Sequence, residues 1–485
     1  MRSQRLTILS LSLMFLTSCT VGPDFKKPRS ALPGAFTETF PGATTQPASL
    51  SEWWTNFNDP KLDDLIHLTM RDNLDIRQAA SRVREARAQR GVVDADFFPS
   101  VDTGGSFSRS KSSENLGQRN FSGVGSGFDK PSNVWQAGFD AGWELDIFGG
   151  TRRNVEAAEA DITAAAEDQR DVMITLLAEV ARNYINLRAS QKQIAIARRN
   201  IKTQQDSLEL TQAKVQGGIG SDLDVARSEA QVATSEATIP TLEIAERQAM
   251  HALAVLIGRD AGALVRELST ETAIPVALPA LPAMLPSELL RRRPDIRRAE
   301  ANLHAAVARI GVATSDLFPK FSLVGSLGLQ SEQFKDISRG DSLYWSIGPS
   351  VSWPIFDASR IRSNIGVQNY RTEQALAEYE KSVLNSLREV EDALVAYDRE
   401  RARRESLLRA VESNRRAVEL ASALYSRGLV TFLDVLTAQS ALFAADDALV
   451  QSDRSVSANL VALYKALGGG WQPVSDPMSQ PVEMR

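Results

Sequence analysis

Two long stretches of this chain place an apolar residue at every seventh position. Met173, Val180, Leu187, Ile194, Ile201, Leu208 and Val215 form the first series. Val383, Val390, Tyr397, Val411, Val418 and Tyr425 form the second, with Arg404 the one break. A strict seven-residue period is the seam of helices that supercoil left-handedly around a partner. No proline falls between Gly150 and Gln216 or between Asp357 and Arg427. Each stretch therefore predicts one helix, 150–216 and 357–427, of roughly 100 Å at about 1.5 Å per residue. Shorter helical pieces, about 59–97, 221–258 and 431–467, are long enough to stack in pairs beside the long ones, so the pattern predicts an elongated bundle.

A different period appears between the helices. From Trp135 to Ile147 the odd positions are Trp, Ala, Phe, Ala, Trp, Leu and Ile, and the even ones include Gln136, Asp140, Glu144 and Asp146. Trp345, Ile347, Val351, Trp353 and Ile355 alternate in the same way with serines and a glycine, and Phe321, Leu323, Leu327 and Leu329 with Ser322, Ser326 and Gln330. Val101 to Arg109 alternates more weakly. Strands are expected at about 99–110, 133–147, 320–331 and 343–356. One apolar and one polar face over ten or more residues is the signature of an outer-membrane strand. Trp135 with Trp143, and Trp345 with Trp353, are pairs eight residues apart. At about 3.3 Å per residue and the usual tilt, that spacing is roughly 20 Å, near the height of the band between aromatic girdles. Four strands cannot close a barrel, and lipid tolerates no open sheet edge. Two copies would supply eight strands with a filled interior, three would supply twelve with a lumen; a long helical assembly beneath a plug has no transport role, which favours three.

The chain also repeats itself. A shift of 220 places Asp75-Ile76-Arg77 on Asp295-Ile296-Arg297 and Phe98-Pro99 on Phe318-Pro319, with 11 identities over positions 75–99. A shift of 210 places Gly218, Leu223, Asp224 and Val225 on Gly428, Leu433, Asp434 and Val435, and Gly258 on Gly468. The expected organisation is two structural repeats, 59–265 and 287–468, joined by a proline-rich linker at 266–286. A tail at 469–485 should be poorly ordered. The fold class is mainly α with a small membrane β part.

The first residues read as an address. Arg2 and Arg5 precede an apolar run from Leu6 to Leu16, too short to span a bilayer, which ends at Cys19, the single cysteine. Residues 1–18 are expected to be a signal peptide, with acyl chains on Cys19 as the anchor. Residues 19–58, rich in Pro, Gly, Ser and Thr, are expected to form an extended arm along a folded body. Composition narrows the rest. Fifty-five basic and 60 acidic residues give a net charge of −5, which argues against nucleic acid as a partner. His67, His251 and His304 share no metal spacing, and no nucleophile, phosphate-loop or zinc motif occurs, so the expectation is no enzyme and no cofactor. Arg291-Arg292-Arg293 reads as a solvated helix start, Arg399 to Glu405 as the wet face of the second long helix, and Gly117 to Gly127 as an exposed hairpin loop.

With Cys19 and the following Val21-Gly22-Pro23-Asp24-Phe25, Trp53 through Asp59-Pro60 and Leu62, Leu285 to Leu290 with Arg293-Pro294-Asp295-Ile296, and Gly428 to Val435 with Ala438-Gln439, the chain resembles the TolC-type outer-membrane efflux proteins, in their lipoprotein branch. The resemblance covers nearly the whole chain. It implies a homotrimer with a twelve-stranded barrel in the outer membrane of a Gram-negative bacterium and a helical tunnel through the periplasm. It implies docking to a periplasmic adaptor (membrane fusion) protein and an inner-membrane pump, often of the resistance-nodulation-division class. The tip turns, Gly217 to Ser221 and Gly428 to Thr431, would carry the gate: a hydrogen bond between Asp224 and Tyr425 across helices, and Asp434 at the constriction. The bland alternative for both aspartates is a carboxylate near a helix start. Val430 and Thr437 stand where some members carry a basic gate residue and a second carboxylate. The rival readings are a non-conducting stalk or tether and the export duct of a type I secretion system.

Overall fold

A computed structural model describes residues 20–28, 32–38, 50–111, 131–277 and 286–471. Cys19, the loop at 117–127 and most of the tail lie outside the described residues. In chain order the helices are α1 (Pro60–Asp72), α2 (Leu74–Asp94), α3 (Gly150–Gln216), α4 (Asp222–Glu236), α5 (Thr238–Leu256), α6 (Val265–Leu268), α7 (Pro286–Arg292), α8 (Pro294–Ser315), α9 (Arg360–Ser426) and α10 (Phe432–Ala466). The strands β1 (Ser100–Ser110) and β2 (Ser132–Leu145) lie between α2 and α3, and β3 (Lys320–Ser331) and β4 (Leu343–Ser352) between α8 and α9. No described helix is long and apolar enough to cross a membrane.

Two expected helices, and the helical run that opens the second repeat, are broken, each for a local reason. Asn73 turns extended between α1 and α2, and its side-chain oxygen accepts the backbone N–H of Asp75 at 2.8 Å and of Ile76 at 3.0 Å, an N-cap in mid-run. Arg293 separates α7 from α8 because the residue before a proline, here Pro294, is pushed out of the helical region. The piece 221–258 divides at Ala237, just before Pro240, which lacks the N–H that would continue the ladder. β4 ends at Ser352 before Pro354, and α9 starts only at Arg360 after Ala358 and Ser359, both with positive φ.

Two compact units emerge, and they cut across the repeats, because each long helix contributes to both. One combines the arm as far as Pro28 with Arg84–Ala164 and Ala299–Glu378; the other combines Arg29–Val83, Ala165–Arg298 and the chain from Tyr379 on. In the first unit β1–β2–β3–β4 form one antiparallel sheet in chain order.

The second unit holds the main core. Val180, Leu187 and Ile194 of α3 and Val390 and Tyr397 of α9, all on the heptad seams, are buried. So are Trp53 and Trp54, each 1% exposed, with Trp53 stacked on Tyr464 at 5.4 Å. The end of the supposed arm is thus core. Its five-residue 3-10 turn, Trp53–Phe57, is held by apolar burial that outweighs the loop-like composition around it. The tail also begins packed. Gly468 closes α10 with φ 72°, and the Trp471 ring has the Arg170 and Arg297 guanidinium groups at 4.8 and 5.4 Å. Arg404, the break in the second heptad series, ion-pairs with Asp453 of α10, and Glu400 accepts from Ser452 at 2.6 Å, so the run from Arg399 to Glu405 is only partly a wet face.

Candidate functional site

The register sorts every side chain of the sheet onto one of two faces. Trp135, Phe139 and Trp143 of β2 stand opposite Phe107, Thr103 and the gap beyond β1 on one side, and Ser331, Leu327 and Leu323 of β3 on the other. β4 continues the same face with Trp345 opposite Leu327, Ile347 opposite Gly325 and Val351 opposite Phe321. The opposite face carries Asp102, Ser106, Gln136, Asp140, Glu144, Ser322, Ser326, Ser346 and Ser350. Ser326 and Ser346 share a hydrogen bond at 2.8 Å there. The apolar face is uncovered: Phe139, Leu327, Trp345, Ile347 and Val351 are all more than half exposed. An open apolar face of this extent needs a cover that water cannot supply.

The four tryptophans obey the repeat. Trp143 donates its indole N–H to the Phe97 carbonyl at 2.9 Å, and Trp353 donates to the Leu317 carbonyl at 3.0 Å. Both acceptors lie just ahead of a strand, and 97 and 317 differ by the same 220 as the sequence repeat. Trp345 sits level with Phe139 and not with Trp135, a step of four residues over two strands. That stagger is what tilted strands require.

Beneath the sheet the arm is latched. Arg153 of α3, with a side chain 6% exposed, donates to Asp24 at 2.6 Å, to Glu156 at 2.7 Å and to the Val21 carbonyl at 3.2 Å. Phe25 stacks on His304 at 4.4 Å, and His304 meets Glu156 at 2.9 Å. Gly22, at φ 90°, fits because a Cβ there would lie 2.4 Å from the Gly311 Cα. These contacts fix the residues that directly follow Cys19.

The tip turns are built alike. Gly218 (φ 74°) and Gly428 (φ 75°) end α3 and α9 in the left-handed region. Ile219 N–H reaches the Lys214 carbonyl, and Leu429 N–H the Leu424 carbonyl, each the long bond of a Schellman cap. Gly217, the first residue of the turn after α3, still donates its N–H to the Ala213 carbonyl at 3.0 Å. Asp434 is exposed at the start of α10. Its carboxylate accepts from Thr431 Oγ1 at 2.6 Å and Thr431 N at 2.9 Å, a closed capping box, and these bonds hold its pKa below the ordinary carboxylate value. Asp224 occupies the matching position of α4 after Ser221, with Arg227 at 3.9 Å.

The expected bond between Asp224 and Tyr425 is not among the hydrogen bonds of the described residues. Tyr425 is buried instead against Phe432 at 5.4 Å, and Lys214 takes the position across from it. Lys214 Nζ lies 3.8 Å from the centre of the Tyr425 ring and donates to the Tyr425 carbonyl at 2.7 Å. A cation at the last carbonyls of α9 is favoured by the helix dipole as well as the ring. Sequence reasoning missed Lys214 because a lone lysine near a helix end carries no pattern of its own.

An open-edged, two-faced sheet joined to heptad helices more than 60 residues long is the build of an outer-membrane channel subunit. The outer membrane efflux protein family model matches residues 65–259 and 285–469, and the chain belongs to that family. Its members are channel proteins and not enzymes, and they work in the outer membrane. The chain is 31% identical over 477 residues to nodulation protein T of Rhizobium leguminosarum bv. trifolii, covering 98% of this chain and 99% of that one. It is 33% identical over 487 residues to the toluene efflux pump outer membrane protein TtgF of Pseudomonas putida, covering 98% of each. The solved outer-membrane channel OprN is 36% identical and superposes with a TM-score of 0.87 over 94% of this chain and 100% of that one.

Proposed function

We propose that three copies of this chain form the exit duct of a tripartite efflux pump, conducting small molecules passively from a periplasmic adaptor and an inner-membrane pump across the outer membrane. The observation that carries the reading is the sheet. It has one face fit for lipid, one fit for water, and two edge strands, β1 and β4, each with no strand along its outer edge among the described residues. Three such sheets make twelve strands, enough for a water-filled lumen. Acyl chains on Cys19 would add an anchor beside the barrel. The polar face offers no covalent chemistry, so energy and selection come from the partners. Deleting the gene should lower tolerance to at least one class in a panel of antibiotics, dyes, detergents, solvents and metal salts; unaltered growth throughout would count against efflux.

The tip is the proposed gate, with Asp224, Tyr425 and Asp434 around it. Near a threefold axis, three Asp434 carboxylates would repel one another and draw cations. Asp434→Ala removes that charge and opens the capping box, so single-channel conductance in a lipid bilayer should rise. Its depressed pKa sets the sign with pH. The capping bonds alone would keep the charged cap until pH falls through the lowered pKa, and repulsion among the three copies shifts that loss to higher pH, so wild-type conductance should rise as the pH is lowered. Conductance of the alanine variant indistinguishable from wild type would remove Asp434 from the gate.

A further inference from the structure

The linker between the repeats, which the proposed duct leaves without a role, forms one side of a cleft. Two of its carbonyls hold it in place. The Pro275 carbonyl accepts from Ser457 Oγ at 2.6 Å, and the Thr270 carbonyl accepts from Arg188 of α3 at 2.8 Å. The cleft has a volume of about 520 Å³, within the range of about 300–1,000 Å³ that small-molecule sites occupy. Ile274 and Val276 line it from the linker, Phe57 and Pro60 from around the start of α1, and Tyr184 and Arg188 from α3. Apolar groups predominate. Arg188 stands out among them, because it is only 3% exposed.

No carboxylate answers the Arg188 charge directly among the described residues. Nη1 donates to Gln191 Oε1 and to the Thr270 carbonyl, each at 2.8 Å, and Nη2 donates to the Tyr184 hydroxyl at 3.1 Å. All three acceptors are neutral. Burial pushes the Tyr184 hydroxyl up to about 12, so it stays protonated and donates to Asp59 Oδ2 at 2.9 Å. Asp59 also lines the cleft, but its other oxygen caps α1 by accepting the Lys61 and Leu62 N–H groups. Lys61, the remaining charged residue of the cleft, is paired with Glu267. A guanidinium has five N–H groups. The buried Nε–H and one N–H of Nη2, on the edge that a carboxylate grips side-on, have no acceptor among the described residues. Buried charges in folded proteins are paired or ligated, so a guanidinium edge beside an apolar cleft suits an anion with an apolar body.

We infer that this cleft binds a small carboxylic acid as its anion, the carboxylate on Arg188 and a ring or short alkyl chain against Phe57, Pro60, Ile274 and Val276. The site goes beyond the duct and does not rest on the trimeric reading, since every residue it uses lies in one compact unit of one chain. A single guanidinium with two N–H groups to spare matches the two oxygens of a carboxylate. The second charge of a phosphate would find only Lys61, which Glu267 already holds. An organic cation would be repelled by Arg188, and a neutral ligand would leave the guanidinium edge as it is. The linker lends its Thr270 carbonyl to the same arginine, so a bound acid adds to a junction already made between the linker and α3. Ligand that binds only the folded chain raises its thermal transition, and a saturating acid should do so here.

The test is equilibrium dialysis of phenylacetate against the full chain in a non-ionic detergent, with protein-free micelles as the blank. Binding should saturate, and the neutral phenylacetamide should bind at least about ten times more weakly, as expected for losing a hydrogen-bonded charge. Arg188→Gln should bind the acid no better than the unaltered chain binds the amide. Val276→Trp changes a residue that is 53% exposed and touches none of the Arg188 bonds. It should fill the cleft and weaken the acid by about the same tenfold factor. Should Arg188→Gln fail to fold, the amide and Val276→Trp still decide. Equal binding of acid and amide would overturn the carboxylate assignment. Unchanged binding in Val276→Trp would place the acid elsewhere and overturn the site. No saturable binding up to about 10 mM would overturn it outright.

Discussion

Arg293→Met should be among the most destabilising single changes available in this protein, costing about 3–5 kcal/mol. The Arg293 side chain is 8% exposed and makes four bonds: to both carboxylate oxygens of Asp295 at 3.0 and 2.6 Å, to Glu389 of α9 at 2.7 Å and to the Ala466 carbonyl at 3.0 Å. Burial pulls its pKa down, but the hydrogen bonds and charges of Asp295 and Glu389 outweigh burial and raise it. Methionine would fill much of the volume and leave two carboxylates and the end of α10 without a partner. Asp295 is 22% exposed and Glu389 44% exposed, so water takes up part of their charge, and the triple variant with Asp295→Asn and Glu389→Gln should recover only part of the loss. Asp295→Asn keeps a side-chain oxygen to accept the Ile296 N–H, as the carboxylate does at 3.0 Å. Denaturant unfolding of the detergent-solubilised protein checks both statements. A methionine variant within about 1 kcal/mol of wild type would mean that water already reaches this site.

Arg293 also shows what the sequence could and could not reveal. Three arginines in a row read as a solvated cluster, and the reading fails for the third because its partners are 96 and 173 residues away. The repeat contained the missing signal. Shifted back by 220, Arg293 falls on Asn73, which donates to the Leu256 carbonyl at 2.8 Å, and Leu256 shifted forward by 210 is Ala466. Each repeat thus ties a helix break to the end of its last helix, with a short amide in one case and a long guanidinium in the other. Gly258 and Gly468 terminate the tied helices in the left-handed conformation. Self-comparison pairs those two glycines without showing what they close.

The elements that strict periods governed were legible. Seventh-position residues of α3 and α9 are buried through much of both helices, and alternation in β2, β3 and β4 gave both faces. Periodicity reports which side of an element is buried and says nothing of what lies against it. For that reason the seam positions could not show that Lys214 faces Tyr425. Short segments were obscured where composition and packing disagree. Trp53 and Trp54 are core residues inside a loop-like stretch, and Asn73 breaks a helix that the apolar pattern alone would continue.

Leu327→Arg should abolish assembly in the outer membrane, whereas Ser326→Arg, one residue away, should be tolerated. Leu327 lies opposite Phe139, midway between Trp135 and Trp143 on β2, and opposite Trp345 on β4. It lies inside the band between the tryptophans, between the level of Phe139 and that of Trp345, where an arginine on the lipid face costs up to about 2–4 kcal/mol. Every subunit of a ring carries that cost, so a trimer bears it three times. Ser326 belongs to the face with Asp140 and Ser346, where an arginine would meet water and acidic neighbours. Ser326→Arg trimers should therefore reach the outer membrane at near wild-type levels and show weaker cation preference, since three positive charges would enter the lumen. Heat-modifiable trimer in the outer-membrane fraction measures the first effect, and reversal potentials under a salt gradient measure the second. If the serine variant failed and the leucine variant assembled, the lipid and water faces would be interchanged, and a barrel built on this register would be turned inside out. If both assembled equally, neither face would meet lipid, and the sheet would lie outside the bilayer.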